Sequence, residues 1–292
     1  MSKYIIGINA YHADSSAALL RDGEVICATE EERFTRQKHW AGLPMRSIEF
    51  CLQFEGLQMS HIASICIGRD PKAKFMNKLR YMSSNYKSSF TMLRQRLSNR
   101  SDLSSLAEDI KNKFGSCPKV EYIEHHRAHL ASAFFSSPYK EATVISIDGS
   151  GDFSTIMIGQ GKENKIEVLE SQDFPISIGL FYTAFTQFLG FPYYGDEYKV
   201  MGLSPYGKPV YLDQMRSMIW SGSKNILEWN PDFFNLNDGA VTYRDNNPHV
   251  NQLFNEESFT EMFGSKREKN QNLLDRHKNI ASSLQRRTEE LI

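Results

Sequence analysis

Three apolar runs separated by two short polar stretches open the chain. Tyr4 to Asn9 (YIIGIN) is apolar and rich in β-branched residues, and a polar turn, Ala10 to Asp14, follows it. A short apolar run bounded by turn residues reads as a buried strand. Ser15 to Leu20 reads as a second strand. Arg21-Asp22-Gly23-Glu24 holds the Asp-Gly pair of a tight hairpin, and Val25 to Thr29 forms the third strand. The pattern predicts a three-stranded antiparallel meander.

The same order returns 139 residues later, counted from Asn9 to Asp148. Thr143 to Asp148 is an apolar run ending in an acid, and Gly149-Ser150-Gly151-Asp152 is its polar turn. Phe153 to Ile158 is the next strand, Gly159-Gln160-Gly161-Lys162 reads as a glycine hairpin, and Lys165 to Ser171 is a third strand. A domain-sized period argues for duplication of two α/β halves rather than a solenoid. Between the meanders, Pro44 to Phe54 carries Met45, Ile48, Cys51 and Leu52 at helical spacing, and Ile62 to Gly68 reads as a buried strand. Ser104 to Phe114 and His126 to Phe135 read as helices, with a strand at Lys119 to Ile123. Phe174 to Leu189 reads as an aromatic-rich helix, and the aromatic stretch Phe181 to Tyr194 is expected to be exposed enough to form an interface. Asn225 to Asn251 suits hairpins and loops. Gln271 to Ile292 is an amphipathic helix through Leu273, Leu274, Ile280, Leu284 and Leu291. The pattern stops there without a capping glycine, so the second half is expected to be incomplete. The expected division is 1–140, with a polar helical insertion near 70–115, and 141–292.

Composition narrows the class. The 292 residues hold 34 Lys and Arg against 35 Asp and Glu, a formal charge of −1. No global field favours nucleic acid or an anionic membrane. Cys27, Cys51, Cys66 and Cys117 are far apart, which fits a reduced protein and argues against a cysteine metal site. There is no signal-peptide core and no apolar run of the roughly 20 residues that span a bilayer. A cytoplasmic protein without membrane or nucleic-acid partners is expected. Lys72 to Lys113 is locally basic through Lys72, Lys74, Lys78, Arg80, Lys87, Arg94, Arg96 and Arg100. It reads as a solvated helical face or as a cationic wall for an anionic substrate.

Four stretches carry candidate chemistry. In His125-His126-Arg127-Ala128-His129, residues 125 and 129 stand one helical turn apart, a spacing that lets two imidazoles reach one metal ion. His126 with His129, at i and i+3, is the alternative pair. Asp148, at a strand's C-terminal end, faces the region where α/β sheets bind ligands. Two histidines and one carboxylate suit Fe(II), with Zn(II) also open. Gly149, Ser150 and Gly151 could cradle an anionic oxygen with successive amides. His12, in the turn equivalent to 149–152, is expected across a cleft from them as a general base. Gly195 to Gly207 (GDEYKVMGLSPYG) is either a ligand segment or an ordered turn and helix start.

Taken together, GINAYHADSSAALLRDG, EEERFTRQKHWAGLP, HHRAHLASAFF, VISIDGSGD and GDEYKVMGLSPYG resemble the O-carbamoyltransferases of nodulation-factor and antibiotic biosynthesis. The resemblance runs over nearly the whole chain in the family's motif order. It implies a duplicated actin/hexokinase-like (ribonuclease H-like) α/β fold whose second half is incomplete, similar to the tRNA threonylcarbamoyl transferase subunit. It implies transfer of a carbamoyl group from carbamoyl-adenylate to the hydroxyl of a small metabolite, with a bound iron-type metal. On this chain the family's metal ligands fall on His125, His129 and Asp148, and its catalytic turn histidine on His12. The adenylate site falls on Lys38, with Arg36 near, on Asp148, Gly149, Ser150 and Gly151, and on Ser177 of the turn Pro175-x-Ser177-x-Gly179. The resemblance also implies a C-terminal domain that makes carbamoyl-adenylate from ATP and carbamoyl phosphate. It implies a further metal aspartate and a glycine-rich nucleotide segment as well. None of the three is found in these 292 residues, so a shortened chain, a fragmentary gene product or one part of a split enzyme is expected, nearly inactive alone. Two other readings stand beside it: a sugar-kinase-like or tRNA-threonylcarbamoylating enzyme on the same scaffold, and a non-catalytic metal- or nucleotide-binding fragment.

Overall fold

The computed structural model describes residues 2–84, 103, 105–223, 225–236 and 240–292. Lys87, Arg94, Arg96 and Arg100 of the basic stretch lie outside the described residues. The described elements run β1 (Tyr4–Asn9), β2 (Ser16–Arg21), β3 (Glu24–Glu30), α1 (Glu32–Thr35), α2 (Met45–Phe54), β4 (Ile62–Ile67) and α3 (Phe75–Ser84). Then come α4 (105–114), β5 (Lys119–Tyr122), α5 (His125–Phe135), β6 (Glu141–Gly151), β7 (Ser154–Lys162), β8 (Lys165–Asp173), α6 (Ile178–Phe188), α7 (Glu197–Leu203) and α8 (Leu212–Met218). Short strands β9 (Ile219–Ser221), β10 (Leu227–Trp229), β11 (Val241–Arg244) and β12 (Asn247–Val250) precede α9 (Glu256–Phe263) and α10 (Asp275–Leu291).

Two units divide these elements: residues 1–128 with 241–249, and 129–240 with 250–292. They differ from the expected 140/141 division in two places. The cut falls inside the first turn of α5, and the hairpin 241–249 folds with the first unit, because its tip hydrogen-bonds to the loop before α2.

In the first unit the sheet order is β3-β2-β1-β4-β5. β1, β2 and β3 are antiparallel neighbours, whereas β1–β4 and β4–β5 are parallel. This is the five-stranded mixed sheet of an actin-like half. Alternation along β1 and β2 sends Ile6, Ile8, Ala17 and Leu19 into a core shared with Ile48, Cys51, Leu52, Ile65 and Ile67. Asp22 and Gly23 both take positive φ, 53° and 94°, as a two-residue hairpin turn compatible with strand twist requires. The start of α2 is held by a buried carboxylate. Glu31 accepts from Ser47 N and Ser47 Oγ, both at 2.8 Å, and from Arg46 N at 3.2 Å. A charge-bearing acceptor at a helix start satisfies orphan amides.

In the second unit β6-β7-β8 form the second meander, three strands where the first unit has five. The mixed α/β architecture is thus a duplicated actin-like fold with a shorter second sheet among the described residues. Two turn assignments differ from expectation. β6 continues through Gly151, and the reversal falls at Asp152 and Phe153, with φ of 49° and 80°. β7 continues through Lys162, so Gly159 and Gly161 lie in a strand, not a hairpin. They are needed because α5 packs on them. A Cβ on Gly159 would sit 3.1 Å from Leu130 Cδ1, and one on Gly161 would sit 2.5 Å from Phe134 Cδ2. Glycines in a strand mark this kind of close approach.

The aromatic stretch expected on the surface is core in its first half. Phe181, Phe185 and Phe188 of α6 are fully buried with Phe259 and Phe263 of α9. Edge-on and tilted ring pairs run through the group, among them Phe185–Phe259 at 4.8 Å and Phe188–Phe254 at 5.5 Å. Spacing of i, i+4 put Phe181 and Phe185 on one face, and the residues that cover that face come from about 75 positions later. At the chain end, α10 begins at Asp275, and Leu273 and Leu274 are exposed outside it. Among the described residues no helix is long and apolar enough to cross a membrane.

Candidate metal centre

His125 and His129 lie one turn apart at the start of α5. His125 Nδ1 is 3.2 Å from the Gly68 carbonyl at the end of β4. A carbonyl only accepts, so Nδ1 carries the proton of this contact. This second hydrogen bond is the usual device for orienting a metal-binding imidazole. His126 is fully buried, with its ring edge-on to His125 at 5.7 Å, and takes no part in the ligand group.

Asp148 sits where the β6–β7 register breaks, between Ile147 and Gly151. Such irregularities turn a side chain out of the ladder. One carboxylate oxygen, Oδ1, accepts from the Gly149 amide at 2.6 Å. The other, Oδ2, lies 3.8 Å from His129 Nε2. That separation is too long for a hydrogen bond. Metal–ligand bonds of about 2.1 Å set two tetrahedral ligands about 3.4 Å apart. One ligand atom from each of His125, His129 and Asp148 lies within 4.8 Å of the others. The donor set and spacing therefore fit a divalent cation after an inward shift of about 1 Å. Two imidazoles and a carboxylate are donors that Fe(II) and Zn(II) both accept.

The backbone behind Asp148 is pinned. Ser177, fully buried, caps α6 by accepting from Leu180 N at 3.1 Å, and its hydroxyl donates to the Asp148 carbonyl at 3.0 Å. Gly179 lies against the same backbone: a Cβ there would meet Gly149 N at 2.7 Å and Asp148 C at 2.9 Å. Thr183 continues this face, donating to Glu197 Oε1 at 2.6 Å and so tying α6 to the Gly195–Gly207 segment. That segment folds as an ordered turn and helix. Asp196 is buried and pairs with Lys199, and a Cβ on Gly207 would collide with the Lys278 carbonyl.

In the first unit, His12 lies in a turn with Tyr11 and Asp14 at positive φ, 57° and 61°. Its ring is 6.0 Å from that of His125. The loop carrying Lys38 is bound to this turn: Tyr11 N donates to Gly42 O at 3.1 Å, Ser15 N to Trp40 O at 3.0 Å, and Ser15 Oγ to Gly42 O at 2.8 Å. Lys38 itself is exposed. Its neighbour His39 holds Asp14 Oδ1 through Nδ1 at 2.8 Å. This pair was not singled out from sequence. The signal available was only a histidine two residues after Gln37, with nothing to indicate its partner.

A match to the family described as Carbamoyltransferase N-terminus runs over residues 4–292. The chain belongs to that family. Among similar proteins, Uncharacterized protein sll1178 of Synechocystis sp. is 33% identical over 300 residues, covering 99% of this chain and 47% of that protein. Nodulation protein NolNO of Sinorhizobium fredii is 35% identical over 213 residues, covering 69% of this chain and 29% of that protein. The chain thus spans less than half the length of these relatives. Among solved structures, YeaZ from Pseudomonas aeruginosa aligns with 12% identity and a TM-score of 0.34, over 59% of this chain and 68% of that one. The Aquifex aeolicus PPX-GPPA enzyme aligns with 16% identity and a TM-score of 0.32, over 72% and 66%. The fold assignment stands on strand order and not on these scores.

Proposed function

We propose that this chain is the transfer region of an O-carbamoyltransferase, moving a carbamoyl group from carbamoyl-adenylate to the hydroxyl of a small metabolite. The observation that carries the reading is the convergence of His125, His129 and Asp148 donor atoms within 4.8 Å. The His12 ring, 6.0 Å from that of His125, adds a candidate base. A plain kinase has no need of an imidazole metal site.

A divalent ion held by His125, His129 and Asp148, Fe(II) in the first instance, would supply Lewis acidity toward the carbamoyl carbonyl. The chain's own groups do the rest. His12 donates from Nδ1 toward the Ala13 carbonyl at 3.4 Å, which leaves Nε2 as the basic atom. That atom takes the acceptor's hydroxyl proton as the acceptor oxygen bonds to the carbamoyl carbon. The bond from that carbon to the phosphate oxygen breaks, and AMP leaves with the electron pair. The products are a carbamate ester and AMP. Lys38 faces the phosphate charge, together with the amides of Ser150 and Gly151. The Gly149 amide is engaged by Asp148, and Ser177 acts through its hold on Asp148. Carbamoyl-adenylate itself comes from ATP and carbamoyl phosphate in a further domain of the complete enzyme.

In the full-length enzyme, His12→Ala should retain bound metal and lose transfer by about 100-fold or more, the usual contribution of a positioned base. His129→Ala should lose the metal itself, measured by elemental analysis. Transfer at the wild-type rate by His12→Ala would remove the base assignment, and full metal occupancy in His129→Ala would remove the site.

A further inference from the structure

The hairpin β11–β12 is far from the N-terminal turns in sequence, yet it belongs to the same unit. Its two reversal residues, Asp245 and Asn246, have φ of 50° and 59°, the mirror-image turn that matches strand twist. The tip is fastened to the loop after α1. Ala41 N donates to Asn246 O at 2.9 Å, and Gln37 Nε2 donates to Asn247 Oδ1 at 2.8 Å. This anchoring places Tyr243 beside the turn of residues 10–14. The Tyr243 and His12 ring centroids are 5.8 Å apart and tilted by 55°. His12 therefore has the His125 ring on one contact, at 6.0 Å and 45°, and Tyr243 on another. Both separations lie in the range where aromatic pairs attract.

The turn that carries His12 restrains its imidazole weakly at the contact within it, Nδ1 to Ala13 O. It is short, it has positive φ on either side, and its hydrogen bond from His12 Nδ1 to Ala13 O is long at 3.4 Å. The second χ angle of a histidine is broad and weakly restrained by its own backbone. Rings packed against it add to the restraint. We propose that Tyr243 is a positioning residue for His12, holding the imidazole in the orientation that meets the acceptor hydroxyl. The hairpin is thus a strap against the turn that carries His12. The role rests on the transferase reading only for its purpose; the packing stands apart from it.

The test is diethyl pyrocarbonate modification of the full-length protein, with the rate at each histidine read by peptide mass spectrometry. His39 is the internal control, because it lies on the loop that anchors the hairpin and is paired with Asp14. In Tyr243→Ala the His12 rate should rise about fivefold, the typical worth of an aromatic pair expressed as a population ratio. The His39 rate should stay unchanged. Tyr243→Phe, which keeps the ring, should behave as wild type. An unchanged His12 rate in Tyr243→Ala would overturn the proposal. So would a joint rise at His12 and His39, which would mean loss of the hairpin, or a Tyr243→Phe protein that behaves as Tyr243→Ala. Modification needs no turnover. A wild-type enzyme that transfers no carbamoyl group would sink the transferase reading and leave this measurement intact.

Discussion

Replacing Gly179 by alanine separates two opposing effects of known sign. Gly179 is the second residue of α6, where helix propensity favours alanine by at most the interior value of about 1 kcal/mol. Packing opposes it. The added Cβ would lie 2.7 Å from Gly149 N, 2.8 Å from Gly149 Cα and 2.9 Å from Asp148 C. Relaxed contacts need about 3.5 Å or more, so α6 and β6 must part by roughly 0.7 Å. The obstructing atoms are backbone and cannot rotate aside, which places the cost near the top of the overpacking range, about 3 kcal/mol. The net expectation is a loss of about 2 kcal/mol. Gly202 in α7 is the matched control. It is exposed, and a Cβ there would meet nothing within 4 Å. Gly202→Ala should therefore stabilise by about 0.5–1 kcal/mol. Urea unfolding of the two variants and wild type gives both signs in one experiment. Because Gly179 bears on the backbone of Asp148, its variant should also hold metal more weakly, read by competition with a chromophoric chelator. Equal or greater stability of Gly179→Ala would refute the argument, as would glycine variants that shift in the same direction.

Ser177→Ala leaves Leu180 N–H and the Asp148 carbonyl without their hydroxyl partner, and should weaken metal affinity about tenfold, as supporting hydrogen bonds to ligands do. Unchanged affinity would show that Asp148 is held by other means. Glu31→Ala strips three donors at the start of α2 and should destabilise by about 2–3 kcal/mol in the same urea assay. His277 is held below its ordinary value of 6.5 by burial first, then by Arg276 and Arg267, while its Nδ1 accepts from Leu274 N at 3.0 Å. With a lowered folded-state value, its contribution is complete above 6.5 and declines as pH falls below it. Wild type should lose stability across that range more steeply than His277→Gln, and parallel profiles would exclude the residue as a source.

What the linear order of residues determined was local. Alternating apolar runs and the Asp22-Gly23 turn are short-range signals, and they specified the first meander. The repeat of that order specified the second. The i, i+4 spacing of His125 and His129 follows from helix pitch alone. Distances that depend on packing were decided elsewhere. Gly159 and Gly161 look like turn residues in a string, yet they form the groove that seats Leu130 and Phe134 and so fixes the helix bearing His129. The apolar face of α6 is visible as a pattern, but its burial depended on Phe259 and Phe263, and Ser177 turned inward to hold Asp148. Tyr243 carried no mark at all: it lies 231 positions from His12, and the hairpin's hydrogen bonds to Gln37 and Ala41 bring it there. Periodicity encodes which face of an element is apolar. Only the folded chain, in which loops close over long separations, decides which distant side chain meets it.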